Sequence, residues 1–169
     1  MEAMRLIFVT FRAITYSTLF VGFLLIYLPT RALSWSGIAR PTAMGVPQGA
    51  GMIVTGAGML IALSCIITFV FIGRGTPAPF DPPRRLVIQG PYRFVRNPMY
   101  IGAGLALAGA ALFYQAVSLL IYAGVFLLIS HLFVVLHEES KLAATFGPDY
   151  EAYCRAVRRW LPGAGRPAI

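Results

Sequence analysis

Apolar residues in this chain form three long runs, which shorter polar segments separate. The runs cover residues 13–28, 50–72 and 101–136. A bilayer core is about 30 Å thick, and about 20 apolar residues in a helix cross it. As one helix the third run would be roughly 54 Å long, at about 1.5 Å per residue, which is too long for one span. We therefore expect it to break at Tyr114-Gln115 into a helical hairpin.

This pattern predicts an all-α integral membrane protein with about four transmembrane helices. The predicted spans are residues 13–29, 47–72, 99–114 and 116–137. Helical spacing returns in the polar tail, where Pro148 is well placed to begin a helix, so we expect a tail helix over about 148–160. The first apolar run lacks a small-residue cleavage site and precedes further spans. We therefore expect it to be a membrane span and not a cleaved signal.

The composition agrees with a membrane protein and excludes several other classes. Of the 169 residues, 58% are hydrophobic and 12% are charged. That is about half the charged fraction of a soluble domain. So few charges could not cover a water-facing surface, which excludes a small cytosolic enzyme, a disordered tail and a disulfide scaffold. The net charge of +8 is therefore assigned to basic loops that face anionic lipid, and not to nucleic-acid binding.

The basic residues also predict which side of the membrane each segment faces. With four spans, twelve of the fourteen Lys and Arg residues lie on one side, in the N-terminus, the 73–98 loop and the tail. Because cytoplasmic loops are enriched in Lys and Arg, we expect both termini to be cytoplasmic, in a bacterial inner membrane or an endomembrane. The 73–98 loop is also rich in proline, which favours either a shaped pocket wall or a semi-rigid spacer.

Two polar features exceed what helix packing requires, and the first is the pair Glu138-Glu139 after the last predicted span. Adjacent carboxylates repel each other, and the C-terminal end of a helix disfavours anions. A cationic partner would relieve both penalties. That partner could be an arginine, Lys141 or a cationic ligand, and a solvated helix end is the alternative.

The second feature is the segment 90–104, which combines cationic side chains with small residues. Four of its members could approach a ligand: Arg93, Arg96, Gly102 and Gly104. Arginine suits a carboxylate or phosphate, although these arginines also fit the cytoplasmic charge bias. The two glycines could equally serve close helix packing, as could most glycines of the second and third spans. Asn97-Pro98 suits the start of a helix.

The histidines and cysteines do not predict a metal site. His131 and His137 lie six positions apart, so they face different sides of a helix. His131 lies inside a span and is a functional candidate because polar groups in lipid are costly, although an interhelical hydrogen bond accounts for it more simply. Cys65 and Cys154 have neither metal-ligand spacing nor an evident pairing, so we expect both to be structural.

Two ordered motifs resemble those of the integral-membrane methyltransferases. Residues 96–102 read R-N-P-M-Y-I-G and resemble the family's R-H-P-x-Y-x-G motif, with Asn97 where histidine is usual. Residues 138–162 resemble its tail motif, E-E-x-x-L...F-G-x-x-Y-x-x-Y...R-x-x-P. The family includes isoprenylcysteine carboxyl methyltransferases and phospholipid N-methyltransferases. The resemblance covers about residues 76–162. Asparagine at position 97 keeps a hydrogen-bond donor and acceptor but loses the titratable ring.

The resemblance implies S-adenosylmethionine as the cofactor, in a cytosol-facing pocket formed by the 73–98 loop and the tail. The residues implied in cofactor binding are Tyr92, Arg93, Arg96, Asn97, Tyr100, Gly102, Gly104, Glu138 and Glu139. The glutamates would face the amine or a ribose hydroxyl, and an arginine would hold the carboxylate. The implied catalytic residues are Glu139 or His137, as a base for an amine acceptor, and Arg159, which would position an acceptor carboxylate or phosphate.

The implied activity is methyl transfer to a lipidic acceptor embedded in the membrane. We favour an acceptor of the isoprenylcysteine carboxyl type, because a carboxylate is anionic at pH 7 and requires no general base. A phospholipid N-methyltransferase is the first alternative. An NADPH-dependent sterol-type reductase and a non-catalytic membrane scaffold are the others.

Overall fold

The computed structural model describes residues 2–73 and 85–162. All regular structure in these two ranges is helical, as predicted. The α-helices are α1 (Glu2–Val21), α2 (Leu28–Trp35), α3 (Val46–Thr68), α4 (Pro98–Tyr114), α5 (Val117–Phe133), α6 (Glu139–Phe146) and α7 (Pro148–Ala156). Residues 74–84, which are part of the predicted proline-rich wall, lie outside the described residues.

Three continuous helical stretches in the described residues are long and apolar enough to cross a membrane: Thr10–Trp35, Val46–Gly73 and Val117–Phe146. Helix α4 is also apolar but shorter, at 17 residues. That is about 26 Å of helix at about 1.5 Å per residue. The chain is therefore an integral membrane protein by the length and composition of its helices.

The first stretch does not end at Pro29, where the sequence predicted its end. Six residues of π-helix, Gly22–Tyr27, connect α1 to α2, and the helix continues to Trp35. Pro29 lies in the first turn of α2, and the wider π-helical turns come directly before it. Local π adjustments of this kind satisfy backbone groups that a proline would otherwise leave unpaired in a membrane helix.

Helices α4 and α5 are separated by the two residues Gln115 and Ala116. Gln115 has a left-handed backbone with φ of 49°, and the amide of Ala116 donates to the carbonyl of Ala111 at 2.9 Å. A left-handed residue of this kind is a common way to end a helix. The third apolar run therefore breaks next to the predicted position.

The helical stretch that begins with α5 continues past residue 137, where the predicted span ended. A π-helical segment, Val134–Glu138, joins it to α6, which ends at Phe146. Helix α7 begins at Pro148 as predicted, but it ends at Ala156 because Val157 is extended, with φ of −123° and ψ of 127°. The rest of the described tail is therefore a non-helical strap.

Helices α3 and α4 pack backbone to backbone through four glycines. A Cβ added at Gly58 would lie 2.6 Å from the amide nitrogen of Ala106, and one added at Gly102 would lie 2.7 Å from the carbonyl oxygen of Gly58. Gly51 and Gly109 make an equivalent contact two turns away, where a Cβ on either would lie 2.7 Å from the other's carbonyl oxygen. Small residues allow membrane helices to approach this closely. The packing role expected for these glycines is confirmed.

Gly58→Ala should therefore destabilise the protein, whereas Gly56→Ala should not. A methyl group at Gly58 would overlap the backbone of α4, and overpacking costs about 1–3 kcal/mol. Gly56 lies on the same helix with nothing within 4 Å of its added Cβ, so alanine there should be neutral or stabilise the helix. Thermal unfolding in detergent, followed by circular dichroism, measures both. Equal melting temperatures would contradict the tight packing.

Candidate functional site

The start of α4 and the strap after α7 lie side by side at one end of the apolar helices. The backbone amide of Arg96 donates to the carbonyl of Arg158 at 2.9 Å. The side-chain amide of Asn97 donates from Nδ2 to the carbonyl of Arg159 at 3.3 Å. Two segments far apart in the sequence, each containing one of the predicted motifs, therefore meet.

Glu139 is at the centre of this meeting point. The guanidinium of Arg159 donates from Nε to Oε1 at 2.7 Å and from Nη2 to Oε2 at 2.8 Å. Nη1 of Arg96 lies 3.2 Å from Oε1, and 19% of the Glu139 side chain is exposed. These bonds raise the pKa of Arg159 above its ordinary value. Two-pronged, charge-assisted pairs of this kind are short and directional. The cationic partner that the sequence required for Glu139 is therefore a pair of arginines.

Glu138 points to a different neighbour. Its Oε2 accepts a hydrogen bond from the Tyr100 hydroxyl at 3.2 Å. The two adjacent carboxylates therefore avoid each other, since Glu138 turns to α4 and Glu139 turns to the strap.

A polar cluster is formed by Arg96, Asn97, Tyr100, Glu138, Glu139 and Arg159. Trp160 borders this cluster on the side of α5. The indole Nε1 of Trp160 donates to Nδ1 of His131 at 3.0 Å. The Trp160 ring also lies 6.5 Å from the Tyr100 ring, measured between centroids. His131 is therefore hydrogen-bonded, as the simpler expectation required, but its partner lies in the non-helical strap and not on another helix.

Tyr92 is a buried residue of the segment that precedes α4. Its ring packs edge-on against Phe69 at 5.3 Å, and its carbonyl accepts a 2.7 Å hydrogen bond from the Tyr153 hydroxyl. Burial raises the pKa of Tyr92 well above its usual range. Its ring also packs with Cys65 and Val87, so Tyr92 fixes the loop to the end of the second span.

Five predicted site residues lie outside the cluster, and Tyr92, described above, is one of them. Gly102 faces α3, as described above, and a Cβ on Gly104 would lie 2.8 Å from a methyl group of Leu127. Arg93 is exposed and its guanidinium lies 4.6 Å from the centroid of the Phe94 ring. His137 is exposed and borders an open apolar groove on the outer side of α5. The cluster contains the other predicted residues: Arg96, Asn97, Tyr100, Glu138, Glu139 and Arg159.

The sequence did not predict roles for Trp160 or Cys154 in this cluster. Nη1 of Arg96 donates to Sγ of Cys154 at 2.7 Å, so the thiol is a second partner of that guanidinium beside Glu139. The predicted tail helix extended to residue 160, but the sequence could not identify a partner for Trp160. Within residues 2–73 and 85–162, no group of three or more His, Cys, Asp or Glu side chains could hold a metal ion.

A family model for phospholipid methyltransferase matches residues 47–149. The match covers more than half of the chain, which therefore belongs to this family of membrane methyltransferases. Comparisons with curated proteins and with solved structures give no match. The family resemblance inferred from the two motifs is confirmed, and the matched range includes the first motif and both glutamates.

Proposed function

We propose that the protein transfers a methyl group from S-adenosylmethionine to a lipidic acceptor within the membrane. One observation carries the proposal: the two segments that resemble methyltransferase motifs meet at Glu139, where the apolar helices end. Family membership supports methyl transfer, and the apolar helices support an acceptor that lies in lipid. The family match also favours methyl transfer over the reductase and scaffold alternatives.

The side chains of the cluster fit the polar groups of S-adenosylmethionine. This cofactor carries an ammonium and a carboxylate, and when bound it supplies an electrophilic methyl group on a sulfonium. Glu139 and Glu138 would hold the ammonium or a ribose hydroxyl. Arg96 would hold the carboxylate, since its Nε is buried and has no hydrogen-bond partner among the described residues. Asn97 and Tyr100 supply further polar contacts beside them.

Arg159 gains a specific role in this proposal. It donates to both oxygens of Glu139, so a cofactor ammonium at that carboxylate would compete with Arg159, and we propose that this competition releases the guanidinium. The released guanidinium would then be available to an acceptor carboxylate or phosphate. One arginine would thus couple cofactor binding to acceptor positioning.

We propose a carboxylate acceptor, as in the isoprenylcysteine branch, because it requires no base and two of the candidate bases at the cluster are already engaged. Glu139 is paired with two arginines, and Nδ1 of His131 already accepts a hydrogen bond from Trp160. Glu138, which accepts a hydrogen bond from Tyr100, is the candidate base for an amine acceptor. A carboxylate acceptor requires no proton removal, whereas an ammonium head group must lose one first. The second candidate is a phospholipid amine, which the description of the matched family favours.

The topology of the proposed enzyme has four spans, with α4 as the third. Twelve of the fourteen basic residues then lie on the cytoplasmic side, together with both termini. The cofactor would approach from the cytosol, and the acceptor would approach from the bilayer. This placement follows the charge bias of membrane proteins.

Transfer of a labelled methyl group tests this function directly. The protein is reconstituted in nanodiscs with a lipid extract and S-adenosylmethionine labelled on its methyl group. We expect label in the lipid fraction, and alkaline treatment should release it as volatile methanol if the product is a methyl ester. Label that survives alkali in a nonvolatile head group would instead identify an amine acceptor. Absence of lipid label, or oxidation of NADPH by the protein, would refute methyl transfer.

A further inference from the structure

His131 is a polar, ionisable side chain in the predominantly apolar helix α5. Its imidazole is half-buried, lies 5.9 Å from the Trp160 ring between centroids, and accepts the indole hydrogen bond described above. Polar groups inside a membrane helix are costly unless they are paired, so this contact needs an explanation beyond filling space.

Trp160 belongs to the non-helical strap, residues 157–162, whose position depends on contacts with other segments. Apart from the amide of Val157, which donates to the Tyr153 carbonyl at the end of α7, four hydrogen-bonded contacts of the described residues hold this strap. Three of them connect it to the first-motif segment or to Glu139: they involve Arg158, the Arg159 carbonyl and the Arg159 guanidinium. The fourth, from Trp160 to His131, connects the strap to the apolar part of α5.

The hydrogen bond between Trp160 and His131 also affects both glutamates of the cluster, through Arg159 and Tyr100. Trp160 directly follows Arg159, so fixing the indole restricts where the guanidinium can lie. On its other side the indole packs near Tyr100, whose hydroxyl donates to Glu138. Displacement of Trp160 would therefore disturb the partner of Glu139 and the partner of Glu138 together.

We infer that His131 is a positioning residue of the methyl-transfer site and acts through its hydrogen bond to Trp160. This inference rests on the proposed function. His131 does not touch the reacting groups in this assignment. It holds the strap so that Arg159 and Tyr100 present the two carboxylates in one geometry. A positioning role predicts a larger effect on the binding of S-adenosylmethionine than on the rate at saturation.

The test uses Trp160 as its own reporter. The chain has two tryptophans, and Trp35→Phe removes the other one, which lies 80% exposed at the end of α2. In that background, His131→Phe keeps a ring but removes the hydrogen-bond acceptor. His131→Gln offers an amide oxygen as a replacement acceptor. Leu128→Phe, at a lipid-facing position of the same helix, is the control for adding an aromatic ring.

Two quantities are measured for each protein in nanodiscs. The bimolecular quenching constant of Trp160 by acrylamide, obtained from fluorescence lifetimes, reports the position of the strap without any substrate. Labelled-methyl transfer gives KM for S-adenosylmethionine and kcat. We expect His131→Phe to raise the quenching constant and to lower kcat/KM roughly 10- to 100-fold through KM, since small misplacements near a reacting centre have effects of this size. Glutamine should restore both in part, and Leu128→Phe should change neither.

The outcomes separate this inference from the proposed function. If the Trp35→Phe protein transfers no methyl group while the otherwise unmodified chain does, the reporter background fails, and KM is then measured with both tryptophans present. If the unmodified chain is inactive, the proposed function is refuted, and the positioning role is refuted with it. If the chain is active and His131→Phe leaves KM unchanged, the inference alone is overturned, even if the quenching constant rises.

Discussion

Glu139→Gln should abolish the binding of S-adenosylmethionine, whereas Glu151→Gln should leave it unchanged. Glutamine keeps the shape of the side chain but removes the charge that would hold the ammonium. Loss of one member of a largely buried charge pair should weaken binding roughly 100-fold or more. Glu151 is the matched control because it loses the same charge from α7, where its side chain is 69% exposed and lies 4.0 Å from Arg155. Calorimetric titration of each variant with S-adenosylmethionine measures the difference.

Folding has to be separated from binding in this experiment, because Glu139 also pairs with Arg96 and Arg159. Glu139→Asp keeps the charge with a shorter reach and should retain weakened binding. Thermal unfolding of all three variants shows whether each is folded at the titration temperature. Unchanged binding by a folded Glu139→Gln protein would disprove the cofactor role of this carboxylate.

Arg159→Gln should lower methyl transfer strongly, and Arg158→Gln should have little effect. The two arginines are neighbours in the strap, but their surroundings differ: Arg159 makes the two-pronged bond to Glu139, and Arg158 has an exposed side chain. Losing Arg159 removes both the partner of Glu139 and the group proposed for the acceptor. We expect kcat/KM for the acceptor to fall roughly 100-fold.

The readout for Arg159 is the dependence of the rate on acceptor concentration at saturating S-adenosylmethionine. Arg158→Gln removes an equal charge from the same strap, so it controls for the general attraction between a basic surface and anionic lipid. Equal losses in both variants would mean that net charge, and not the bond to Glu139, determines the effect of position 159.

The helices could be predicted because lipid imposes a simple requirement on the sequence. Every backbone group that crosses a bilayer must be paired, so long apolar runs become helices. Pro148 similarly predicted the start of α7, since its fixed φ suits a first helical turn. The prediction that the first span ends at Pro29 was wrong, because a proline does not always end a helix. Its effect depends on whether the preceding turns can widen, which here happens in the π-helical segment Gly22–Tyr27 and leaves no mark on the hydropathy pattern.

The site could be predicted only in part, because its geometry depends on the path of the strap. The motifs identified Glu139 and Arg159 as functional residues, but not that they bond to each other across 20 positions. His131 and Trp160 are 29 positions apart, and their contact depends on Val157 ending the helix. From its motif alone, Gly102 could either approach a ligand or allow close packing against another helix. The spacing of seven residues that it shares with Gly109, and Gly58 shares with Gly51, would have favoured packing.

The backbone contact between α3 and α4 limits how a lipid could enter the protein. At the four glycines even an added Cβ would overlap the facing backbone, so these two helices have little room to rotate or slide against each other. Helix α4 meets α5 through side chains instead, with Leu107 and Ala103 against Phe126 and Ala123. Side chains can change rotamer where backbones cannot yield. If the proposed acceptor enters from the bilayer, we therefore expect a lateral entrance for its hydrocarbon chain on the α5 side, next to the end where His131 and Trp160 meet.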